Sequence, residues 1–268
     1  MYVKKKVLII GIDGCRPDAL RAADTPVIDS LVGRGASSFD TQTSRFARSG
    51  PGWSSMLTGV WEDKHGVTDN TLEGANFFEY PHFFGRVKQL MPATISASIV
   101  NWAPIGRIAS KTADVSVSFG SDEEVAHEAC RVLKSDGPDI VFVQFDEVDA
   151  TGHTSEFSPD DSNYLAAIQV VDALVGRLVD VVEERRVNTD EDWLVMLSSD
   201  HGGSRNRHGL DIPEHTTVFL ILEGPSVEPG AALGEPGVVD VAATAMAHLG
   251  LEVDPLWGWD GSAVGLKS

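Results

Sequence analysis

Three stretches of the chain break off an apolar run with residues that can hold a cation. They are "GIDGCRPD" at Asp13, "FDEVDATGH" with Asp149 and His153, and "LSSDHGGSRNRHG" with Asp200, His201 and His208. Carboxylate oxygen mixed with imidazole nitrogen is the donor set of Zn²⁺, with Mn²⁺ or Fe as alternatives. Six such groups exceed the needs of one four-coordinate ion, so two divalent ions are expected. A two-ion site serves displacement at phosphorus, clamping the attacking and the leaving oxygen. The nucleophile is then water or a side-chain hydroxyl. "RFARSGPGWSSMLTG" offers Ser49, which Gly50, Pro51 and a helix-like run follow. That places it at a helix N-terminus, where backbone N–H groups favour an anion. Ser44, Ser54, Ser55 and Thr58 stay open as alternatives at this level. His65, His82, His127 and His248 lack such company and read as ordinary polar residues.

Buried strands must deliver these groups. "KVLIIGID", "DIVFVQFDEVD", "WLVMLSSD" and "TTVFLILEG" are continuous apolar runs, the pattern of strands covered on both faces. Helical segments alternate with them. "TPVIDSLVGRGA" has Thr25 as N-cap, Pro26 at the first position and Gly35 as its end. "SDEEVAHEACRVLKSDG" opens on a capping box, Ser121 to Glu124, and should run to Gly137. A long helix should begin near Ser158 and Pro159, its apolar face marked by Leu165, Ile168, Val171, Leu174, Val175, Leu178 and Val182. "VVDVAATAMAHLG" should end at Gly250. The alternation predicts an α/β fold with a mostly parallel sheet, and ligands of such sheets bind beyond the strands' carboxyl ends. No linker or repeat divides residues 1–268, which read as one domain.

Of 268 residues, 40 are acidic and 21 basic, a formal charge of −19. That disfavours a nucleic-acid polymer or an anionic membrane as partner. The opening "MYVKKKVLIIGID" has too short an apolar run for a signal peptide. Cys15 and Cys130 form no disulfide framework and fit a reduced, cytoplasmic protein. The oligomeric state stays open.

In order and spacing these stretches resemble the alkaline phosphatase superfamily, most closely its type I phosphodiesterase/nucleotide pyrophosphatase branch. "VLIIGIDGCRPD", "TPVIDSLVGRGA", "SGPGWSSMLTGVWEDKHGVTDN", "DATGH", "SDHGG", "HGLDIPEHTTVFLILEGP" and "VVDVAATAMAHLGLEVDPLWGWDG" follow in family order, nearly end to end. The resemblance implies a three-layer α/β/α sandwich with a small cap, placed within residues 70–120 because the chain is short for the superfamily. It implies one ion held by Asp13, Asp200, His201 and the Ser49 hydroxyl, and a second, Zn²⁺ again, held by Asp149, His153 and His208. His215 competes for the last place, but the distance to "EGP" favours His208. Ser49 would attack phosphorus to give a phosphoseryl enzyme, on a small-molecule phosphate ester or nucleotide.

Two departures stand out. The branch this chain resembles carries threonine as nucleophile and, three places on, an asparagine that touches a phosphoryl oxygen; here these are Ser49 and Gly52, so that contact is either missing or supplied from elsewhere, with Arg48 and Asn101 as candidates. Sulfatases carry arginine where this chain has Trp53, which argues against a sulfatase. No Lys/Arg cluster surrounds the motifs, so a diester is favoured over a monoester. A phosphomonoesterase, phosphonate hydrolase, phosphomutase or non-catalytic metal-binding protein are the competing readings. Phe77, Phe78, Tyr80, Phe83, Phe84 and Trp102 either line a leaving-group pocket or belong to the core.

Overall fold

The first strand shows how the sheet is covered. In β1 (Lys4–Ile12), Leu8, Ile10 and Ile12 face one core and Val7 and Ile9 face another, all fully buried. The first core is built with helices Pro26–Arg34, Asp122–Lys134 and Ser162–Asn188; the second with helices Ser49–Thr58, Phe83–Leu90 and Asp240–His248. Burial on both faces is why the strand lacks polar alternation.

The computed structural model describes residues 3–109, 112–135 and 137–267. Among them, β2 (Ala36–Gln42), β3 (Ser96–Val100), β4 (Val115–Ser118), β5 (Ile140–Phe145), β6 (Glu191–Ser198) and β7 (Thr217–Glu223) join β1 in the order β2-β7-β6-β1-β5-β3-β4. β7 pairs antiparallel with both β2 and β6, and the other pairings are parallel. The sheet is therefore mostly parallel and lies between two helical layers, the expected sandwich. Its three central strands, β6, β1 and β5, are the ones that carry the candidate ligands.

Several boundaries differ from expectation. Asp161, not Ser158, caps the long helix, accepting from Tyr164 N at 2.8 Å, while Ser158 closes a turn through Asp160 N. Helix Asp122–Lys134 stops short of Gly137 because Ser135 turns its N–H and hydroxyl onto Val132 O. The Ser121 hydroxyl accepts from Glu124 N as the box requires, but the Glu124 carboxylate reaches Gly120 N instead of the cap's own amide. Thr25 and Pro26 occupy their expected places, without a side-chain cap bond. Gly250, at φ +77°, ends its helix with Gly250 N on Ala247 O and Leu251 N on Met246 O.

Within the interval expected to hold a cap, residues 96–100 and 115–118 are sheet strands, and residues 110 and 111 lie outside the described ones, as do Met1 and Tyr2 of the lysine-rich opening. Of the loop 68–82, Asn70 reaches the start of helix Ser49–Thr58. Phe83 and Phe84 are core residues packed on His82; Phe77 and Trp102 pack at the core's edge, and Phe78 is wholly exposed. Both cysteines are free thiols, Cys15 buried and Cys130 half-buried. Among the described residues no helix is long and apolar enough to cross a membrane.

Candidate metal centre

Asp13 follows β1 directly. Gly11, two residues earlier, has no room for a Cβ, which would fall 2.3 Å from the Trp53 ring. That close packing lets Trp53 Nε1 donate to Asp13 Oδ2 at 2.9 Å, joined by Gln144 Nε2 at 3.0 Å. With Oδ2 saturated, Oδ1 is the oxygen left for the site. It lies 3.4 Å from Ser49 Oγ and 3.4 Å from His201 Nε2.

Asp200 and His201 follow β6, and both are fully buried. Gly14 N, in a turn at φ +65°, donates to Asp200 Oδ1 at 3.2 Å; Asp200 Oδ2 has no hydrogen-bond partner and lies 3.4 Å from His201 Nε2. Ser49 starts helix Ser49–Thr58, and its Oγ is 3.3 Å from His201 Nε2.

The second group stands on other elements. β5 ends at Phe145, so Asp149 and His153 lie one turn apart on helix Glu147–Thr154 and face the same way. His208 comes from the loop after β6. His153 Nε2 is 3.3 Å from Asp149 Oδ2 and 3.1 Å from His208 Nε2, and Asp149 Oδ1, 3.7 Å from His208 Nε2, has no hydrogen-bond partner. The His201 and His208 rings stack with centroids 3.9 Å apart, so the two triads share a wall. The structure thus gathers Asp13, Asp200 and His201 beside Ser49, and Asp149, His153 and His208 next to them.

All three imidazoles are oriented alike. His201 Nδ1 meets Gly202 O at 2.8 Å, His153 Nδ1 meets Asn206 O at 3.0 Å, and His208 Nδ1 meets Ala47 O at 3.0 Å. A carbonyl only accepts, so each Nδ1 carries a hydrogen and each Nε2 faces the site, where a cation would displace any proton it holds. Such carbonyl-braced histidines are the usual supports of metal ligands. Ala47 bears its carbonyl in a left-handed conformation, φ +40°, unfavourable for a residue with a side chain.

Around His201, a lone pair and carboxylate oxygens converge on one point, an arrangement a cation resolves. The electrostatics agree. Burial first, then neighbouring carboxylates, push Asp13 and Asp200 well above the usual carboxylate range. Burial pushes His201 down to about 3, and a hydrogen bond to Asp149 holds His153 up to about 9. The donor set and its unpartnered oxygens fit two divalent ions.

His215 is turned the other way. Its Nδ1 accepts from Leu210 N at 3.0 Å and its Nε2–H donates to Ser204 Oγ at 2.8 Å, strapping the loop that bears His208. His65, His82 and His248 are likewise engaged in the fold, and His127 is exposed.

The helix amides expected to follow Ser49 are largely spoken for. Gly50 N donates to Asn70 Oδ1 at 2.8 Å, Pro51 has no N–H, and Gly52 N donates to Arg48 O at 2.9 Å. Asn70, which sequence reasoning missed, therefore sits over the start of this helix. The departure at Gly52 has a steric reason: a Cβ there would lie 2.4 Å from Asp200 O, so a side chain at 52 would drive into that backbone. Asn101, the other candidate for this contact, is engaged with Asp122, its Nδ2 donating to Asp122 Oδ1 at 2.8 Å, while Arg48 is exposed beside Gly209.

A family model described as the Metalloenzyme superfamily matches residues 13–253. Human bis(5'-adenosyl)-triphosphatase ENPP4 is 24% identical over 220 residues, 74% of this chain and 47% of that protein. The 2,3-bisphosphoglycerate-independent phosphoglycerate mutase of Rhodopirellula baltica is 30% identical over 142 residues, 50% of this chain and 24% of its own. The chain thus spans about half, or less, of the length of the curated relatives it matches. Among solved structures, an inactive form of murine ectonucleotide pyrophosphatase/phosphodiesterase 5 in complex with AMP superposes with a TM-score of 0.72 at 14% identity, covering 94% of this chain and 96% of that one. That likeness carries the fold.

Proposed function

The chain belongs to the metalloenzyme superfamily, and on that premise we propose that it is a two-metal phosphodiesterase of the nucleotide pyrophosphatase type, with Ser49 as nucleophile and residues 1–268 acting as one catalytic domain. One observation supports this most: two triads of carboxylate and imidazole stand side by side, and one of them surrounds a buried serine on a helix N-terminus. The likeness to ENPP4, a bis(5'-adenosyl)-triphosphatase, favours the diester branch.

Asp13, Asp200, His201 and Ser49 Oγ would hold one ion, and Asp149, His153 and His208 the other, Zn²⁺ being the first choice for this donor set. Bound there, such ions lower the pKa of a coordinated hydroxyl and neutralise charge on the attacking and leaving oxygens. Ser49 Oγ would give its proton to solvent and attack phosphorus in line, the P–O bond to the leaving group breaking as phosphoserine forms and the leaving oxygen taking a proton from solvent; water then cleaves that ester, restoring the Ser49 hydroxyl and releasing the phosphate product. Buried beside Asp13 and His201, the Ser49 hydroxyl is held in one place before substrate arrives. His201 cannot take its proton while Nε2 serves as a ligand.

Asn70 takes over the phosphoryl contact. Its Oδ1 is fixed on Gly50 N, which leaves Nδ2 to donate to a phosphoryl oxygen beside Ser49. Asn70→Ala should lower kcat by about 10²–10³-fold, the usual loss for one oxyanion donor. Metal content should not change. An unaltered kcat in steady-state assays would remove Asn70 from this role.

The reading is tested by hydrolysis of bis-p-nitrophenyl phosphate against p-nitrophenyl phosphate with Zn²⁺- and Mn²⁺-loaded protein. The expected result is a higher kcat/KM for the diester. Preference for the monoester would move the chain toward the phosphatase and mutase side, where the phosphoglycerate mutase relative lies. No turnover of either would leave a metal-binding protein.

A further inference from the structure

The ligands of the second triad come from two segments that the sequence does not join: helix Glu147–Thr154 and the loop after β6. Something must hold these segments at a fixed spacing from each other and from the first triad. Phe157 fills the space between them. Its ring lies edge-on to His153 at 5.3 Å and to His208 at 6.1 Å. Gly152 and Gly203 press against it, where a Cβ would come within 2.4 Å and 2.6 Å of ring carbons. Phe157 N donates to Arg205 O, so the two segments also meet as backbone.

Arg16 closes the arrangement. Its Nη1 donates to Phe157 O, three residues beyond helix Glu147–Thr154, and to Gly203 O in the loop after β6, both at 3.0 Å. The other side of the guanidinium is fixed by Asp18 through Nε and Nη2. The Arg16 amide donates to Tyr164 Oη, and that hydroxyl donates to Gly14 O. The short turn from Asp13 to Arg16 therefore carries a first-triad residue at one end and the tether of the second triad at the other.

We propose that Arg16 is a positioning residue that sets the second triad against the first, so that the affinity of the Asp149/His153/His208 site depends on its two carbonyl bonds. This rests on the metal reading above. A planar guanidinium can serve both carbonyls while staying paired to Asp18; a lysine ammonium at the same place keeps the charge and loses that fixed fork.

The test is Zn²⁺ binding by the full chain in competition with a chromophoric chelator, with bound ions counted by mass spectrometry. Wild type should bind two ions, and His208→Asn one, which identifies the step belonging to the second triad. Arg16→Lys should bind the first ion within about twofold of wild type and the second about 10–100-fold more weakly, the range seen when a ligand's outer support is lost. Its kcat should fall with little change in KM. Asp18→Asn should shift the same step in the same direction, and serves alone if Arg16→Lys does not fold. Wild-type affinity at both steps, or equal weakening of both, would overturn the proposal and leave Arg16 a general structural residue. A wild type that binds no ions would instead overturn the metal reading, and this proposal with it.

Discussion

Ser49→Ala should reduce diester turnover by about 10⁴-fold or more while leaving two ions bound. The magnitude follows from the loss of a covalent route: removing an activated nucleophile costs 10⁴–10⁶ in well-studied hydrolases, and the residual rate reflects binding and charge stabilisation alone. Metal should stay because three donors of its group, Asp13, Asp200 and His201, remain. The fold should also tolerate the change. Asp13 Oδ2 keeps its bonds from Trp53 and Gln144, and His201 keeps Nδ1 on Gly202 O. Steady-state kinetics on metal-loaded protein, with ions counted on the same sample, separates the two effects. Turnover near the wild-type level with both ions present would show that water attacks directly, and the phosphoserine step would fall. Loss of both activity and one ion would make Ser49 a ligand first, and its role as nucleophile would need a trapped intermediate.

The candidate ligand set was legible because of where its residues stand. A strand buried on both faces is a continuous apolar run, and an aspartate or histidine ending such a run is a conspicuous break. β1, β5 and β6 all have that form, and they are the three central strands. The strands that escaped notice lie toward the sheet's edges. β4 reads Val-Ser-Val-Ser with alternate residues exposed, and β2 mixes Ser, Asp, Thr and Gln into seven residues. Such short, half-polar runs carry the period of a strand too briefly to stand out.

Tertiary contacts decided the rest. Ser158, Asp160 and Asp161 all qualify as helix caps by type. Asp161 wins where Ser155 Oγ also donates to its carboxylate at 2.6 Å and where Tyr164 must reach the turn below Asp13. Asn70 was hidden for a related reason. Its partner, Gly50 N, lies twenty residues back across an irregular loop, and no periodicity links the two. Phe157 and Arg16 act through backbone carbonyls, which a sequence does not mark.

Removing both ions should lower Tm by about 20 °C at pH 9 and by less at pH 7. Asp13 and Asp200 are fully buried with carboxyl groups raised well above their ordinary value by that burial and by each other's neighbourhood of carboxylates. A folded carboxyl with a raised pKa holds a proton that the unfolded chain has released, so stability falls as pH climbs toward the native value. His153 acts in the same sense: its contribution is full below pH 6.5 and is lost as pH rises through about 9. His201 and His208 are shifted down, so they add stability as pH rises, but that gain is complete near pH 7. Asp149, held below the ordinary carboxylate range, titrates under pH 4 and does not enter. Between pH 7 and 9 the metal-free protein should therefore weaken steadily. Ions bind the deprotonated groups, so their stabilisation grows over the same window. At free ion about 1,000 times Kd, linkage supplies about 4 kcal/mol per site. One kcal/mol shifts Tm by about 2–4 °C for a chain of this size. Thermal melts with and without chelator at both pH values measure the gap directly. A gap that widens toward pH 9 means that cations balance the buried carboxylates. Equal melting temperatures at both pH values would mean that protons alone do so, and the two triads would then be a polar core without a metal.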